Sequence, residues 1–348
     1  MMDRYIVVKP EKRRTFEEQV LDVERQVTRI QEDKKSENVY LQWCKVFLSD
    51  AQNQYELLVA SDLYQKMLAN QPFTIVEQAP ADGSKLALLL KISDERTACS
   101  FLSMRLTDED TKAMGAYQQT LMLFERYVKW LDGQGLRLDT HCVRTWIYVR
   151  DIDNNYAGVV RARNEIFHRY GLTNETHFIA STGIGGASHV RSALVAIDFL
   201  TYPKIDEGDK KYLEAQDHLN PTHEYGVAFE RGTRLDLNGQ YTYYISGTAS
   251  IDRHGKVVHL RDLDSQTNRL LCNIEALLND GGATMSDIQY FIVYLRDSSD
   301  YEQIDEFMKQ LYPQIPFVIV SAKVCRPEWL IEMECVARVT TAPQSLLA

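Results

Sequence analysis

The sequence predicts an α+β fold in which one ββαβαββ unit is used three times, the copies packing as a pseudo-trimer with sheets inside and helices outside. Three observations predict it. "PFTIVEQAPADGSKLALLLKIS" and "PFVIVSAKVCRPEWLIEMECVA" both open Pro-Phe-x-Ile-Val, turn at the same distance and close in an apolar strand. "VFLSD", "YVRD" and "YLRD" end strands on Asp50, Asp151 and Asp297, each followed closely by a tyrosine, Tyr55, Tyr156 and Tyr301. Each such strand lies between stretches whose apolar residues recur at helical spacing, and a unit repeated at this interval sets the architecture.

The units divide as residues 1–100, 101–205 and 206–348. In the first, Thr15 and Glu18 form a capping-box pair ahead of the stripe Phe16, Val20, Val23, Val27 and Ile30. The strand "NVYLQWCKVFLSD", the helix "QYELLVASDLYQKML" and a closing hairpin follow. The middle unit runs from the helix "KAMGAYQQTLMLFERYVKWL" through "CVRTWIYVRD" and "GVVRARNEIFHRYG" to "HFIAST", a glycine turn and "SALVAIDFLTY". A polar join, Tyr202–Glu224, leads to the third unit, and "TTAPQSLLA" reads as a frayed tail.

A chain of 348 residues can bury a large core, and its net charge of −10 gives no electrostatic footprint for nucleic acid or an anionic membrane. No apolar run has the length of a membrane span, and the N-terminus lacks a signal-peptide core, so a cytoplasmic protein is expected. Six dispersed cysteines without a CxxC pair read as reduced, mostly buried thiols. Eight histidines show no ligand spacing, so no metal site is expected, and separately no cofactor is expected. A chain that supplies its own trimer is expected to be a monomer.

In the last strand, "LIEMECVA", Glu332 and Glu334 share one face while Ile331, Met333 and Cys335 take the other. A buried carboxyl beside a second one is kept protonated by desolvation and like charge, which is what a general acid needs. The competing reading puts both glutamates in salt bridges at a seam between units. Arg144, Trp146 and Tyr148 alternate on one strand face, as a pocket for an anion and a ring or as a stacked structural cluster. Arg296 shares a face with Tyr294 and either reaches the same cleft or joins an Arg–Asp seam. Arg163 and Arg231 are further candidate cations. "STGIGGAS", with Gly183 and Gly185, lacks the pattern of a phosphate loop and reads as a hairpin turn with amides lining the pocket. "SGTAS", with Ala249, lines it with small side chains.

The third unit resembles the Rid family, small trimeric proteins of this strand order, in "SGTASID", Gln266, Asn273, "GGATMSDI", "VYLRDSSDY" and "LIEMECVA". The resemblance implies a chorismate-mutase-like fold and enamine or imine hydrolysis, for which that family uses an arginine after the proline of the penultimate strand. Phe317 and Val318 stand there instead. Over roughly residues 141–337 the chain also resembles the chorismatases, in "VRTWIYV", "VVRARNEIF", "ASTGIGG", "AFERG", "SGTASI" and "AKVCRPEWLIEME", with Ile147 where that family has an asparagine. This resemblance implies cleavage of the enolpyruvyl ether of chorismate, with release of pyruvate. Glu332 would be the general acid, with Glu334 beside it and Cys325 at the pocket, and the partner a small-molecule carboxylate. The alternatives are a Rid-type enamine or imine deaminase and a non-catalytic carboxylate-binding protein.

Overall fold

The computed structural model describes residues 3–11, 14–35, 39–94, 99–237 and 239–340, so the C-terminal run beyond Thr340 lies outside the described residues. The elements are β1 (Arg4–Val8), α1 (Phe16–Lys35), β2 (Tyr40–Leu48), α2 (Ala51–Ala60), β3 (Phe73–Glu77), β4 (Ala79–Pro80), β5 (Leu86–Ser93) and β6 (Ser100–Met104). Then come α3 (Ala116–Gly133), α4 (Leu138–His141), β7 (Cys142–Val149), α5 (Ile152–Arg169), β8 (Ala180–Gly185), β9 (Val195–Thr201) and β10 (Lys210–Tyr212). The third unit has β11 (Gly232–Leu237), β12 (Gln240–Ala249), α6 (Leu263–Gly281), β13 (Ile288–Leu295), α7 (Tyr301–Leu311), β14 (Phe317–Ser321) and β15 (Ile331–Thr340).

Three sheets repeat one order: β1-β5-β2-β3, β6-β9-β7-β8 and β12-β15-β13-β14, the last extended by β11 and β10. In each, the second and third strands run parallel around a helix, as a parallel pair requires, and the last strand inserts antiparallel between the first and second. The closing strands of each unit are therefore not a hairpin, which corrects the sequence reading. It also passed over β1 and β6, two short strands that begin their units ahead of α1 and α3.

Strand alternation explains the layering. In β2, Cys44, Val46 and Leu48 face the cluster under α1 and α2, while Trp43 and Phe47 face the centre. In β7, Ile147 and Val149 face α3 and α5, while Trp146 and Tyr148 point inward. The inner faces meet in an aromatic column: Tyr5 lies 4.6 Å from Tyr290, Trp43 stacks on Phe101 at 5.4 Å, and Phe101 lies 5.8 Å from Trp146. Main-chain bonds join neighbouring units. β4 adds to the edge of β14, Glu77 bridges Ala187, and Ile184 bridges Val324.

The repeated acids are helix caps. Asp50 accepts from Asn53 N, Asp297 accepts from Ser299 N, and Asp151 occupies the left-handed cap position before α5. The Thr15–Glu18 pair forms as predicted, each side chain accepting from the other's backbone N–H.

Gly183 and Gly185 belong to strand β8, not to a turn. A Cβ on Gly185 would sit 2.8 Å from Lys323 N and 2.9 Å from Lys323 O, so glycine is needed where the third unit's main chain crosses. Gly185→Ala is expected to destabilise the protein by about 1–3 kcal/mol in urea denaturation. Gly133→Ala, where a Cβ meets nothing within 4 Å, should leave stability unchanged or slightly raised.

Candidate active site

A cavity of about 540 Å³ opens at the seam between the middle and third units, within the range of small-molecule sites. Its wall is α5, which turns Tyr156, Val160 and Arg163 toward it at helical spacing. Ser181 and Gly183 of β8 contribute, together with Gly247 and Ala249 of β12 and Glu332 of β15. Two loops close it, one through Phe229 and Arg231, the other through Cys325, Arg326 and Trp329.

The loops are held from behind. Asn164 bonds Gly226 O and receives Ala228 N, which brings Phe229 round. Gln266 donates to Glu328 O and accepts from Leu330 N, and Trp329 Nε1 reaches Ser250 O at 2.9 Å. Asn273 fastens the end of β12 through Ala249 O and Ile251 O. Gln266 and Asn273, both fully buried, thus act as braces for the cavity's loops.

The two glutamates take different parts. Glu334 is fully engaged: Arg144 Nη2 at 3.0 Å, Trp146 Nε1 at 2.6 Å and Thr182 Oγ1 at 2.5 Å all donate to it. Glu332 is 4 % exposed, lines the cavity and has no hydrogen-bond partner among the described residues. Burial, and then the charge of Glu334, push its carboxyl up to about 8 against the opposing pull of Arg144 and Arg231. Gly247 makes room for it, since a Cβ there would collide with the Glu332 carboxyl oxygen.

The cations also divide. Arg163 is 1 % exposed, and its Nε and Nη2 have no partner among the described residues, while Phe229 lies 5.6 Å from the guanidinium. A buried guanidinium with open donors is a carboxylate receptor in waiting. Arg231 bonds the Asn220 carbonyl and lines the cavity. Arg161 and Arg326 complete a lining rich in arginine.

Arg144, Trp146 and Tyr148 do not line the cavity. Arg144 and Trp146 hold Glu334, and the Tyr148 hydroxyl bridges Lys45 and Asp198 at the seam with the first unit. Tyr294 is buried on β13 opposite Glu332 and is also absent from the lining. Arg296 pairs with Asp153 at 2.8 Å, away from the lining. Gly185 serves the strand crossing rather than the cavity. Cys325 does line it, with its thiol pushed up to about 12 by burial, which makes it a packing group rather than a nucleophile. Sequence reasoning missed Tyr156, Asn164 and Trp329 as site residues, while the "SGTAS" run does line the cavity through Gly247 and Ala249. The repeated tyrosine was the signal that could have found the first.

A family model described as Endoribonuclease L-PSP matches residues 229–339. The 3-aminoacrylate deaminase RutC of Acinetobacter baylyi is 31 % identical over 98 residues, 28 % of this chain and 78 % of that protein. A RutC family protein of Pyrococcus abyssi is 30 % identical over 96 residues, 27 % of this chain and 76 % of that protein. The chain belongs to the Rid superfamily, with three such units on one polypeptide. Over its whole length it has the fold of a solved chorismatase, which matches 97 % of this chain and 98 % of its own at a TM-score of 0.68 and 17 % identity.

Between its ordinary 4.5 and about 8, native Glu332 retains a proton that the unfolded chain releases. Its burial therefore costs progressively more stability as pH rises through that window, and costs most above it. Glu332→Gln is expected to raise Tm by a margin that grows from pH 4.5 to pH 8, measured by calorimetry across that range.

Proposed function

We propose that this chain is a chorismatase-like enzyme that cleaves the enolpyruvyl ether of chorismate, or of a related cyclohexadiene acid, and releases pyruvate. One observation carries the reading: a buried carboxyl pushed up by its burial shares a cavity with the buried guanidinium of Arg163, whose Nε and Nη2 have no partner among the described residues. The whole-chain likeness of fold to a chorismatase supports it.

Glu332 donates its proton to the terminal methylene carbon of the enol ether. The carbon bearing the ether oxygen becomes an oxocarbenium, which water attacks as the Glu332 carboxylate recovers a proton from that water. The hemiketal collapses to pyruvate and the ring alcohol. Arg163 and Arg231 hold the substrate carboxylates, and Tyr156, Phe229 and Trp329 enclose the ring. Glu334 stays held by Arg144, Trp146 and Thr182 beside the acid. The carboxylate-holding role that the sequence suggested for Arg144 and Arg296 passes to Arg163 and Arg231.

A second reading is favoured by the likeness to a 3-aminoacrylate deaminase. Enamine hydrolysis also begins with protonation of an alkene carbon, leaving a cation stabilised by the adjacent heteroatom. It lacks its fixed arginine, however. Phe317 begins β14, and the middle unit's register-equivalent, which lines this cavity, is Ser181.

Chorismate should release stoichiometric pyruvate, with kcat level at lower pH and falling above about 8 as Glu332 ionises. Glu332→Gln should abolish turnover. No pyruvate from chorismate, with robust turnover of 3-aminoacrylate, would replace the first reading by the second. Arg163→Met should raise KM roughly tenfold or more, because a bidentate contact is lost, and should raise Tm, because a buried unpaired cation is removed.

A further inference from the structure

The strand registers define equivalent positions in the three units. Lys45, Trp146 and Ile292 occupy one level of the second strands. Opposite them on the last strands stand Leu89, Asp198 and Glu334, and on the third strands Thr74, Thr182 and Val318. Two of the three seams therefore carry one motif, a threonine of one unit donating to a buried carboxylate of the next. Thr74 Oγ1 reaches Asp198 at 3.1 Å, and Thr182 Oγ1 reaches Glu334 at 2.5 Å. An arginine donates to each threonine hydroxyl, Arg105 to Thr74 and Arg144 to Thr182.

Each threonine hydroxyl also accepts from the first strand of the next unit: Thr74 from the Ser103 hydroxyl at 3.3 Å, and Thr182, at the cavity, from main chain. Thr182 Oγ1 also accepts from Gly247 N at 2.9 Å. Gly247 lies in the bulge between Ile245 and Thr248 of β12, against which the Glu332 carboxyl rests. The hydroxyl thus spends its one hydrogen on Glu334 and both acceptor sites on Arg144 and Gly247, which saturates it. We propose that Thr182 is a positioning residue for the cavity acid: its hydroxyl ties the bulge supporting Glu332 to the Glu334 carboxylate beside it. The proposal rests on the reading of Glu332 as the acid.

The groups that face or act on Glu332 are Glu334 on its own strand, Tyr294 on β13, Arg144 on β7, Arg163 on α5, Arg231 before β11 and Cys325 before β15. Without the Thr182 hydroxyl, Glu334 loses a donor and the Gly247 amide is left unpaired. The charge next to Glu332 then becomes more concentrated while the bulge beneath it loosens.

The test titrates Glu332 directly, through the infrared carboxylic-acid band that Glu332→Gln removes, so it needs no substrate. Thr182→Val is expected to move the midpoint upward by roughly one unit, a tenfold change in proton affinity, and to lower kcat on chorismate roughly tenfold with KM within about twofold. Thr182→Ser should restore both. Thr74→Val, the same change at the other seam, should lower Tm and leave the midpoint and turnover alone. Thr182→Ala, which removes the hydroxyl without adding a methyl group, should also shift the midpoint and decides the matter if Thr182→Val does not fold. A Thr182→Val midpoint equal to wild type, or a Thr74→Val shift of equal size, overturns the proposal. Full turnover in Glu332→Gln overturns instead the reading on which it rests.

Discussion

Three donors on one buried carboxylate hold the working part of this molecule together. Glu334 projects from the third unit, and every group that satisfies it, Arg144, Trp146 and Thr182, comes from the middle unit. Removing one partner from such a cluster costs about 3–5 kcal/mol, because a buried charge is left uncompensated. The relative placement of the two sheets, and with it the shape of the cavity between them, depends on this cluster. It also leaves Glu332 without a hydrogen-bond partner among the described residues, where burial and the adjacent charge push its carboxyl up.

The same level of the fold is resolved differently at each seam. Between the first and middle units, Asp198 is met by Thr74, Arg105 and the Lys45–Tyr148 pair. The tyrosine equivalent to Tyr156 is there stacked on His189 at 3.6 Å. At the third seam both equivalents, Leu89 and Val318, are apolar. Acid and threonine are kept together or lost together, as burial demands, since either alone would be an unsatisfied polar group in the core. One level nearer the strand end, the equivalents of Glu332 are Ala87 and Ala196. The cavity's acid is thus the addition of a single unit to a seam motif of structural origin.

The repeat, the layering and the acidic face of β15 were legible because period-2 alternation and shared Pro-Phe-x-Ile-Val runs are local signals. The division of labour was not. Glu332 and Glu334 look alike two residues apart, and only the partners arriving from β7 and β8 separate a satisfied structural carboxylate from a free one. The Arg144–Trp146–Tyr148 face was rightly read as inward and polar. Its ligand, however, is the protein's own Glu334 and, for Tyr148, Lys45 and Asp198. Arg163 was a lesser candidate in the sequence because nothing local marks which arginine of "RAR" is buried. Burial on α5 without a partner is a tertiary fact. The glycines of β8 were taken for a turn because strand glycines that admit a neighbouring ring or main chain carry no turn-independent signature.

In a ring of identical chains, every substitution appears three times around the axis, and a buried cation without a counter-charge would destabilise the assembly threefold. Joining the units end to end removes that multiplication. The Arg163 guanidinium, with no counter-charge among the described residues, is tolerated once, while the first seam closes on a histidine–tyrosine stack and the third carries Lys91 and Arg338 on Asp3. The fused chain can thereby carry a different arrangement of buried charge at each of its three seams.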